Sequence, residues 1–185
     1  KQTQEEVLKL VKRYVEKTGI KNVCITGGYG LNVVCNSYLV KNLPNVNFYF
    51  EPLADDSGNS IGSAIYLWKQ LTKNTDVSKL THTFFNHKKD NKEVQGTNVS
   101  VREIAKLLSD RKIVAVYNGI SEAGPRALGN RSILYDARDK NAKDVVNKVK
   151  NREWYRPFAA SVLKEHAHSY FDMMNLTECP FMTNS

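Results

Sequence analysis

Residues 118–134, with the sequence NGISEAGPRALGNRSIL, combine glycines, arginines and a carboxylate directly after an apolar run. From Gly119 onward three glycines recur every five residues, and Arg126 and Arg131 lie among them. Glycine lets a ligand approach the main chain closely, and the planar guanidinium of arginine fits a phosphate or carboxylate with two hydrogen bonds. The stretch, called the arginine loop below, therefore predicts an anion-binding loop. The alternative is an ordinary turn that carries surface arginines.

A second glycine-rich turn lies near the start of the chain, where GGYG at residues 27–30 follows the apolar run VCIT. A helix is predicted directly after this glycine turn. A strand, a glycine turn and a helix in this order direct backbone N–H groups and the helix dipole toward a phosphate. The alternative is a turn that only connects a strand to a helix.

An acidic loop, EPLADDSG at residues 51–58, follows the predicted strand NFYF and precedes another predicted helix. Adjacent carboxylates at such a position suit a hard cation or a ribose. Because Asp and Ser side chains also cap helices well, the alternative is that Asp55, Asp56 or Ser57 caps the helix.

A basic segment, NKVKNREWYRPFA at residues 147–159, carries Arg152 and Arg156 four positions apart. At the end of a helix two such arginines share one side and can meet one anion. The alternative is a pair of solvated arginines, or ion pairs with Glu153 and other acids.

Short apolar runs alternate with stretches of helical spacing, which indicates an α/β protein. The predicted helices lie at residues 7–15, 31–39, 61–71, 99–110, 142–149 and 165–174. The predicted strands lie at residues 23–26, 47–50, 83–85, 113–117, 131–135 and 160–164. Because residues 72–98 are polar and lack helical spacing, we predict two domains, at 1–75 and 99–185, with a junction at 76–98.

The composition suits a folded protein with anionic partners. A length of 185 residues is enough for one compact domain or two small ones, and 41% hydrophobic residues are enough for a core. The net charge of +8 favours phosphates, nucleotides or nucleic acid. Three widely separated cysteines predict reduced thiols in the cytoplasm, and no apolar run is long enough for a membrane span. The chain starts directly in a helical pattern and ends without a closing element, so we expect part of a longer protein.

The arginine loop and the basic segment carry a family resemblance. GISEAGPRALGNRSIL is very similar to G-R-x-E-x-G-P-R-A-L-G-N-R-S-I-L, a signature of the nodulation and antibiotic-biosynthesis O-carbamoyltransferases. Ile120 stands where that signature has Arg. The basic segment resembles the second signature of the same family, N-x-x-V-K-x-R-E-x-(F/Y)-R-P-F-A. Both signatures belong to the C-terminal, YrdC-like domain of the family.

The glycine turn and the acidic loop resemble the N-terminal, Kae1-like domain of that family, which has the actin/Hsp70-type ATPase fold. There the glycine turn holds nucleotide and the Asp ligates a catalytic metal, so the resemblance implies these roles for Gly27, Gly28 and Asp56. Asn32 and Asn36 match the Asn pair of the same motif. The family's histidine ligands belong to a motif upstream of the residues in this chain.

The resemblance implies the end of a Kae1-like lobe joined to the start of a YrdC-like α/β domain. It also implies a set of site residues in three groups. The catalytic group is Arg126, Arg131 and Arg156, the cofactor-binding group is Gly27, Gly28, Asn32, Glu122, Gly124, Asn130, Ser132, Lys150 and Arg152, and the metal ligand is Asp56.

The implied activity is a carbamoyl transfer. The YrdC-like domain joins carbamoyl phosphate and ATP, through carbamate, into carbamoyl-adenylate, and the Kae1-like domain passes the carbamoyl group to an acceptor hydroxyl. The implied metal is divalent, iron or Mg, and the acceptor is a small-molecule or sugar hydroxyl, with a nucleic-acid acceptor and a homodimer left open. We expect this length of chain to be incomplete as an enzyme. The alternative is a truncated, non-catalytic nucleotide-binding or assembly module.

Overall fold

The structure is a computed structural model, and it describes residues 2–76, 78–86 and 95–185. The predicted junction at 76–98 includes residues 77 and 87–94, which lie outside these ranges. The helices are α1 (Gln2–Thr18), α2 (Val33–Asn42), α3 (Gly58–Thr72), α4 (Val101–Ser109), α5 (Ala142–Val149) and α6 (Ala167–Tyr170). The strands are β1 (Asn22–Ile25), β2 (Asn47–Phe50), β3 (Val114–Tyr117) and β4 (Arg131–Leu134), and 3-10 turns cover Gly28–Leu31 and Lys164–His166. The predicted α/β class is confirmed.

Contacts divide the chain into two compact units, which we describe separately. Unit 1 comprises Lys1–Thr83, Ala123–Arg126 and Val162–Ser185, and unit 2 comprises Phe84–Glu122 and Ala127–Ser161. The arginine loop therefore contributes four residues to unit 1 and the others to unit 2. The predicted domain ranges, which follow chain order, stay a prediction.

Unit 1 contains a parallel β1–β2 pair with α2 as its crossover, in which Asn22 pairs with Asn47 and Ile25 with Phe50. The predicted amphipathic helix is α1, and Gly19 ends it with φ 72°. The apolar faces of α1 and α2 meet the strands in one core. Its buried members are Val11, Cys35, Leu39, Val40 and Phe50. This core supports the glycine turn, which connects β1 to α2.

Unit 2 contains an antiparallel β3–β4 hairpin with Tyr117 opposite Arg131, and β4 is the last part of the arginine loop. Ser100 begins α4 with a capping box, because its hydroxyl accepts the Glu103 N–H at 3.2 Å and the Glu103 carboxylate accepts the Ser100 N–H at 2.7 Å. After the hairpin, α5 follows β4 along the chain and leads into the basic segment.

Two predicted strands are wrong, and one predicted helix is shorter than predicted. Residues 83–85 and 160–164 form no strand, and the helix predicted at 165–174 covers only Ala167–Tyr170. At the first position the Thr83 carbonyl accepts the Ala123 N–H at 2.7 Å. The late helix ends early because Phe171 is extended and Met174 has φ 52°.

Across the described ranges, every helix is too short or too polar to cross a membrane.

The Leu39 side chain, 1% exposed, tests the core of unit 1. We expect Leu39→Ala to lower the free energy of unfolding by about 2–5 kcal/mol, because it removes buried methyl groups and leaves a cavity. Urea unfolding followed by circular dichroism measures this loss. The matched control is Leu71→Ala on α3, where the side chain is 75% exposed and we expect a loss below about 0.5 kcal/mol. Equal losses in the two variants would contradict the assigned core.

Candidate anion-binding site

The glycine turn connects β1 to α2 with an open main chain. Gly27 has φ 78°, and the Gly30 N–H donates to the Gly27 carbonyl at 2.8 Å to close the 3-10 turn. A Cβ built on Gly27 or Gly28 would meet no atom within 4 Å among the described residues. Asn32 begins α2, and its side-chain oxygen accepts the Cys35 N–H at 3.1 Å. The turn is therefore fixed by hydrogen bonds at Gly30 and Asn32, whereas its main chain at Gly27 and Gly28 is accessible to a ligand.

The inner side of the glycine turn packs against the acidic loop. Gly30 is buried, and a Cβ at this position would lie 3.3 Å from the Cβ of Ala54. Asn36 is 1% exposed, and its amide donates to the carbonyl of Gly30 at 2.8 Å and to that of Thr183 at 2.7 Å. These contacts tie the turn to the last residues of the chain, which is a structural role for Asn36.

The segment Ala123–Arg126 of the arginine loop lies against the same part of unit 1. Gly124 has φ 86°, and a Cβ there would lie 2.6 Å from Leu53 Cδ2 and 3.3 Å from the Pro52 carbonyl. Two residues later, Arg126 Nη2 donates to the Leu31 carbonyl at 3.1 Å. Three motifs that are far apart in the sequence, the glycine turn, the acidic loop and part of the arginine loop, therefore meet within one unit.

The carboxylates of the acidic loop differ in their surroundings. Asp55 Oδ1 accepts both the backbone N–H, at 3.2 Å, and the hydroxyl of Ser57, so it organises the turn that precedes α3. Asp56 is exposed. Within residues 2–76, 78–86 and 95–185, His, Cys, Asp and Glu side chains form no group of three able to hold a metal. A single exposed carboxylate does not make a metal site, so the described residues do not fit the implied metal, and Asp56 as a ligand stays a prediction.

In unit 2, the Glu122 carboxylate organises the arginine loop. Glu122 is 8% exposed, and its Oε1 accepts the backbone N–H groups of Leu128 at 2.6 Å, Asn130 at 2.9 Å and Arg131 at 3.4 Å. Burial alone would raise the pKa of Glu122, but the backbone N–H donors outweigh it and the pKa is lowered. The chain's own carboxylate thus occupies N–H groups that the sequence predicted for a ligand.

Arg131 closes the base of the arginine loop. Its guanidinium lies 3.5 Å from the centre of the Tyr117 ring, in a cation–π contact across the hairpin. Its Nη1 donates to the carbonyls of Asn118 at 2.7 Å and Asn130 at 2.8 Å.

Two further predicted ligand residues have contacts inside the arginine loop. The Asn130 amide donates to the Ile120 carbonyl at 2.7 Å, and the Ser132 hydroxyl accepts the Gly129 N–H at 2.9 Å. The loop is therefore fixed by residues that the sequence assigned to binding.

The basic segment folds around Asn147, which is 2% exposed. The Asn147 carbonyl accepts the Arg152 N–H at 2.9 Å, and its side-chain amide donates to the Arg156 carbonyl at 3.0 Å. The Arg152 guanidinium lies 4.9 Å from the centre of the Phe158 ring. Arg156 Nε pairs with Glu153 Oε2 at 2.6 Å, which is the ion pair that the sequence left open as an alternative.

Asn147 is the position that sequence reasoning missed as a determinant of this segment. Its signal was a polar residue next to Val145, Val146 and Val149 on the apolar side of a predicted helix. A buried amide at such a position needs hydrogen-bond partners. The Asn147 side-chain nitrogen finds them at the carbonyls of Trp154 and Arg156, whereas its side-chain oxygen has no partner among the described residues.

The predicted site residues divide between the units. Unit 1 holds Gly27, Gly28, Asn32, Asp56, Gly124 and Arg126, and unit 2 holds Glu122, Asn130, Arg131, Ser132, Lys150, Arg152 and Arg156. The roles assigned to them in binding and catalysis stay predictions.

Two sequence families match this chain in order. Residues 2–65 match the family described as Carbamoyltransferase N-terminus, and residues 105–185 match Carbamoyltransferase C-terminus. The first range contains the glycine turn, the acidic loop and the first half of α3. The second contains the arginine loop and the basic segment. Over these residues, which are most of its length, the chain belongs to the carbamoyltransferase family.

Curated relatives agree with this assignment. Nodulation protein NolNO of Sinorhizobium fredii is 31% identical over 192 aligned positions, covering 95% of this chain and 28% of that protein. Nodulation protein U of Azorhizobium caulinodans is 35% identical over 157 positions, covering 82% of this chain and 28% of that protein. The uncharacterized protein sll1178 of Synechocystis is 32% identical over 191 positions, covering 92% of this chain and 31% of that protein. The chain thus spans about a third of the length of these relatives.

The close packing of Gly124 can be separated from its backbone conformation. We expect Gly124→Ala to lower the free energy of unfolding by about 1–3 kcal/mol more than Gly27→Ala, because overpacking adds to strain. The two glycines have similar φ values, 86° and 78°, but only a Cβ at position 124 meets close neighbours. Urea unfolding of both variants measures the difference. Equal destabilisation would contradict the contact between the arginine loop and Leu53.

The lowered pKa of Glu122 predicts a pH dependence of stability. The stabilisation by its carboxylate is complete above the ordinary pKa of 4.5 and is lost as the pH falls through the lower folded-state pKa. We therefore expect Glu122→Gln to be less stable than wild type at neutral pH and to lose less stability between about pH 6 and pH 3. Urea unfolding across this range measures both slopes. The control is Glu165→Gln, an exposed site, and an unchanged slope in Glu122→Gln would contradict the assignment.

Proposed function

We propose that this chain forms part of an O-carbamoyltransferase that uses ATP and carbamoyl phosphate and transfers the carbamoyl group to an acceptor hydroxyl. Membership of the carbamoyltransferase family supports the group transferred. The observation that carries the proposal is the meeting of the glycine turn, the acidic loop and Arg126 in unit 1, where Arg126 Nη2 lies 3.1 Å from the Leu31 carbonyl. The finer fold assignments, a Kae1-like lobe and the start of a YrdC-like domain, are part of this proposal.

The proposed reaction has three bond exchanges. Water cleaves carbamoyl phosphate to carbamate and phosphate. A carbamate oxygen then attacks the α-phosphorus of ATP, which releases pyrophosphate and forms carbamoyl-adenylate. Finally the acceptor hydroxyl oxygen attacks the carbamoyl carbon, AMP leaves, and the hydroxyl proton passes to solvent. Each stage holds highly charged phosphates, and positioned donors and cations stabilise such charge.

In unit 1, the glycine turn and Arg126 are the proposed ATP contacts. The exposed main chain at Gly27 and Gly28 lets phosphate oxygens approach backbone N–H groups without meeting a side chain. A guanidinium has five donors, and Arg126 uses one of them on the Leu31 carbonyl. The group is half-buried at the turn, so its positive charge acts on a bound phosphate with less screening than at an open surface.

In unit 2, the basic segment supplies the proposed cations for carbamoyl phosphate. Lys150 and Arg156 are exposed, and Asn147 fixes the backbone that carries Arg156. The Glu153 carboxylate pairs with Arg156, so binding of a phosphate there competes with an exposed ion pair, which is worth little by itself. Glu122 and Arg131 act by holding the arginine loop in place.

The remaining features are proposed from the family resemblance. The metal is divalent, iron or Mg, and binds at Asp56 together with ligands from other residues. The acceptor is the hydroxyl of a small molecule, a sugar or a nucleic acid. The protein is a homodimer in the cytoplasm.

The proposal is tested by isothermal titration of the folded chain with ATP and with carbamoyl phosphate. We expect heat with both, a loss of ATP affinity of about tenfold or more in Arg126→Ala, and a similar loss of carbamoyl phosphate affinity in Lys150→Ala, because each change removes a charged donor. The control is Arg13→Ala, an exposed arginine on α1. Absence of heat with both ligands in a folded chain would contradict the proposal.

A second measurement distinguishes an enzyme from a binding module. If the chain forms carbamoyl-adenylate, radiolabelled pyrophosphate enters ATP only when carbamoyl phosphate is present, because the adenylation step is reversible. Binding without this exchange would support the non-catalytic module.

A further inference from the structure

We propose that Arg126 is, in addition to an ATP contact, a positioning residue of the glycine turn: it also acts on ATP indirectly, by holding the Leu31 carbonyl at the start of α2. This inference rests on the proposed function, in which the glycine turn takes ATP. The observation behind it is the hydrogen bond of 3.1 Å from Arg126 Nη2 to the Leu31 carbonyl, made by a half-buried side chain.

The hydrogen bonds to the carbonyl groups of the glycine turn show why its conformation depends on a donor from outside the turn. Those of Gly27 and Tyr29 are bonded within the turn, by the N–H groups of Gly30 at 2.8 Å and Asn32 at 3.0 Å. The next two carbonyls, of Gly30 and Leu31, accept from side chains outside the turn. Asn36, six positions along the chain, holds the first, and Arg126, 95 positions away, holds the second. The turn's conformation therefore depends on Arg126 as well as on its own residues.

Holding one carbonyl orients the neighbouring N–H group, because the peptide unit is planar. The unit that contains the Leu31 carbonyl also contains the Asn32 N–H, and Asn32 caps α2 through the Cys35 N–H at 3.1 Å. The first N–H groups of a helix have no partner within the helix. Their direction at the start of α2 is thus set by a chain of contacts that begins at Arg126.

The arginine reaches this carbonyl because its own segment is anchored. The Ala123 N–H donates to the Thr83 carbonyl at 2.7 Å, and Gly124 packs against Leu53 so closely that a Cβ would lie 2.6 Å from Leu53 Cδ2. Pro125 fixes its own φ between these anchors and Arg126. Because the segment is held in this way, the Arg126 guanidinium lies at the Leu31 carbonyl.

A residue that only contacts ATP and a residue that positions the glycine turn differ in their effect on the turn when ATP is absent. Arg126→Lys keeps the charge but shortens the arm, so the hydrogen bond to the Leu31 carbonyl is weakened. A residue that only touches phosphate leaves the turn unchanged in the absence of ATP. A positioning residue alters it.

The test measures amide hydrogen exchange of residues 31–35 without ATP, and then ATP affinity by titration, in wild type, Arg126→Lys and the control Arg13→Lys. We expect Arg126→Lys to speed exchange at these amides about tenfold and to weaken ATP binding by a similar factor, as expected for loss of one charge-assisted hydrogen bond. The control should match wild type. Gly124→Ala, which displaces the anchored segment but keeps Arg126, should speed the same amides.

Unchanged exchange at residues 31–35 in both Arg126→Lys and Gly124→Ala would overturn the inference, whatever the effect on ATP affinity. Faster exchange with unchanged ATP affinity in Arg126→Lys would also overturn it. Failure of the proposed function looks different, because wild type would then bind no ATP although Arg126→Lys still speeds exchange at the turn.

Discussion

The close approach of Gly124 to Leu53 is the constraint on which the arrangement of unit 1 depends. A side chain at position 124 would put a Cβ 2.6 Å from Leu53 Cδ2, and the backbone there has φ 86°. Glycine meets both conditions without strain. Because the segment is held there, Arg126 lies at the carbonyl of Leu31. A residue from the C-terminal family region thereby completes a turn in the N-terminal family region.

The part of the arginine loop in unit 2 is held differently, because a carboxylate of the chain itself occupies the place of a bound anion. Three backbone N–H groups that converge on one point would suit a phosphate, but the Glu122 carboxylate already accepts them. Arg131 is likewise turned toward carbonyls and the Tyr117 ring. Because these N–H groups and Arg131 already bond within the loop, they are less available to a ligand. The cations of the basic segment are therefore the better candidates for binding an anion.

Local signals in the sequence were sufficient for the elements of each unit but not for the contacts between distant motifs. The helices predicted at 7–15 and 99–110 follow from short-range spacing, and α1 and α4 confirm them. Local residues also define their ends, since Gly19 follows α1 with φ 72° and Ser100 begins α4 with a capping box. The strand predicted at 160–164 is wrong, because an apolar run forms a strand only where a partner strand pairs with it. The joining of Arg126 to Leu31 spans 95 positions, and no local pattern encodes such a pairing. The internal roles of Glu122 and Asn147 were missed for the same reason, since both depend on tertiary partners.

On our proposal, the glycine turn and the segment Ala123–Arg126 bind ATP as one surface of unit 1. A crystal structure of the chain with a non-hydrolysable ATP analogue tests it most directly. We expect phosphate oxygens against the backbone of residues 27–32, with Arg126 still bonded to the Leu31 carbonyl. Phosphates bound away from the glycine turn, or an Arg126 that leaves Leu31 when the analogue binds, would contradict it.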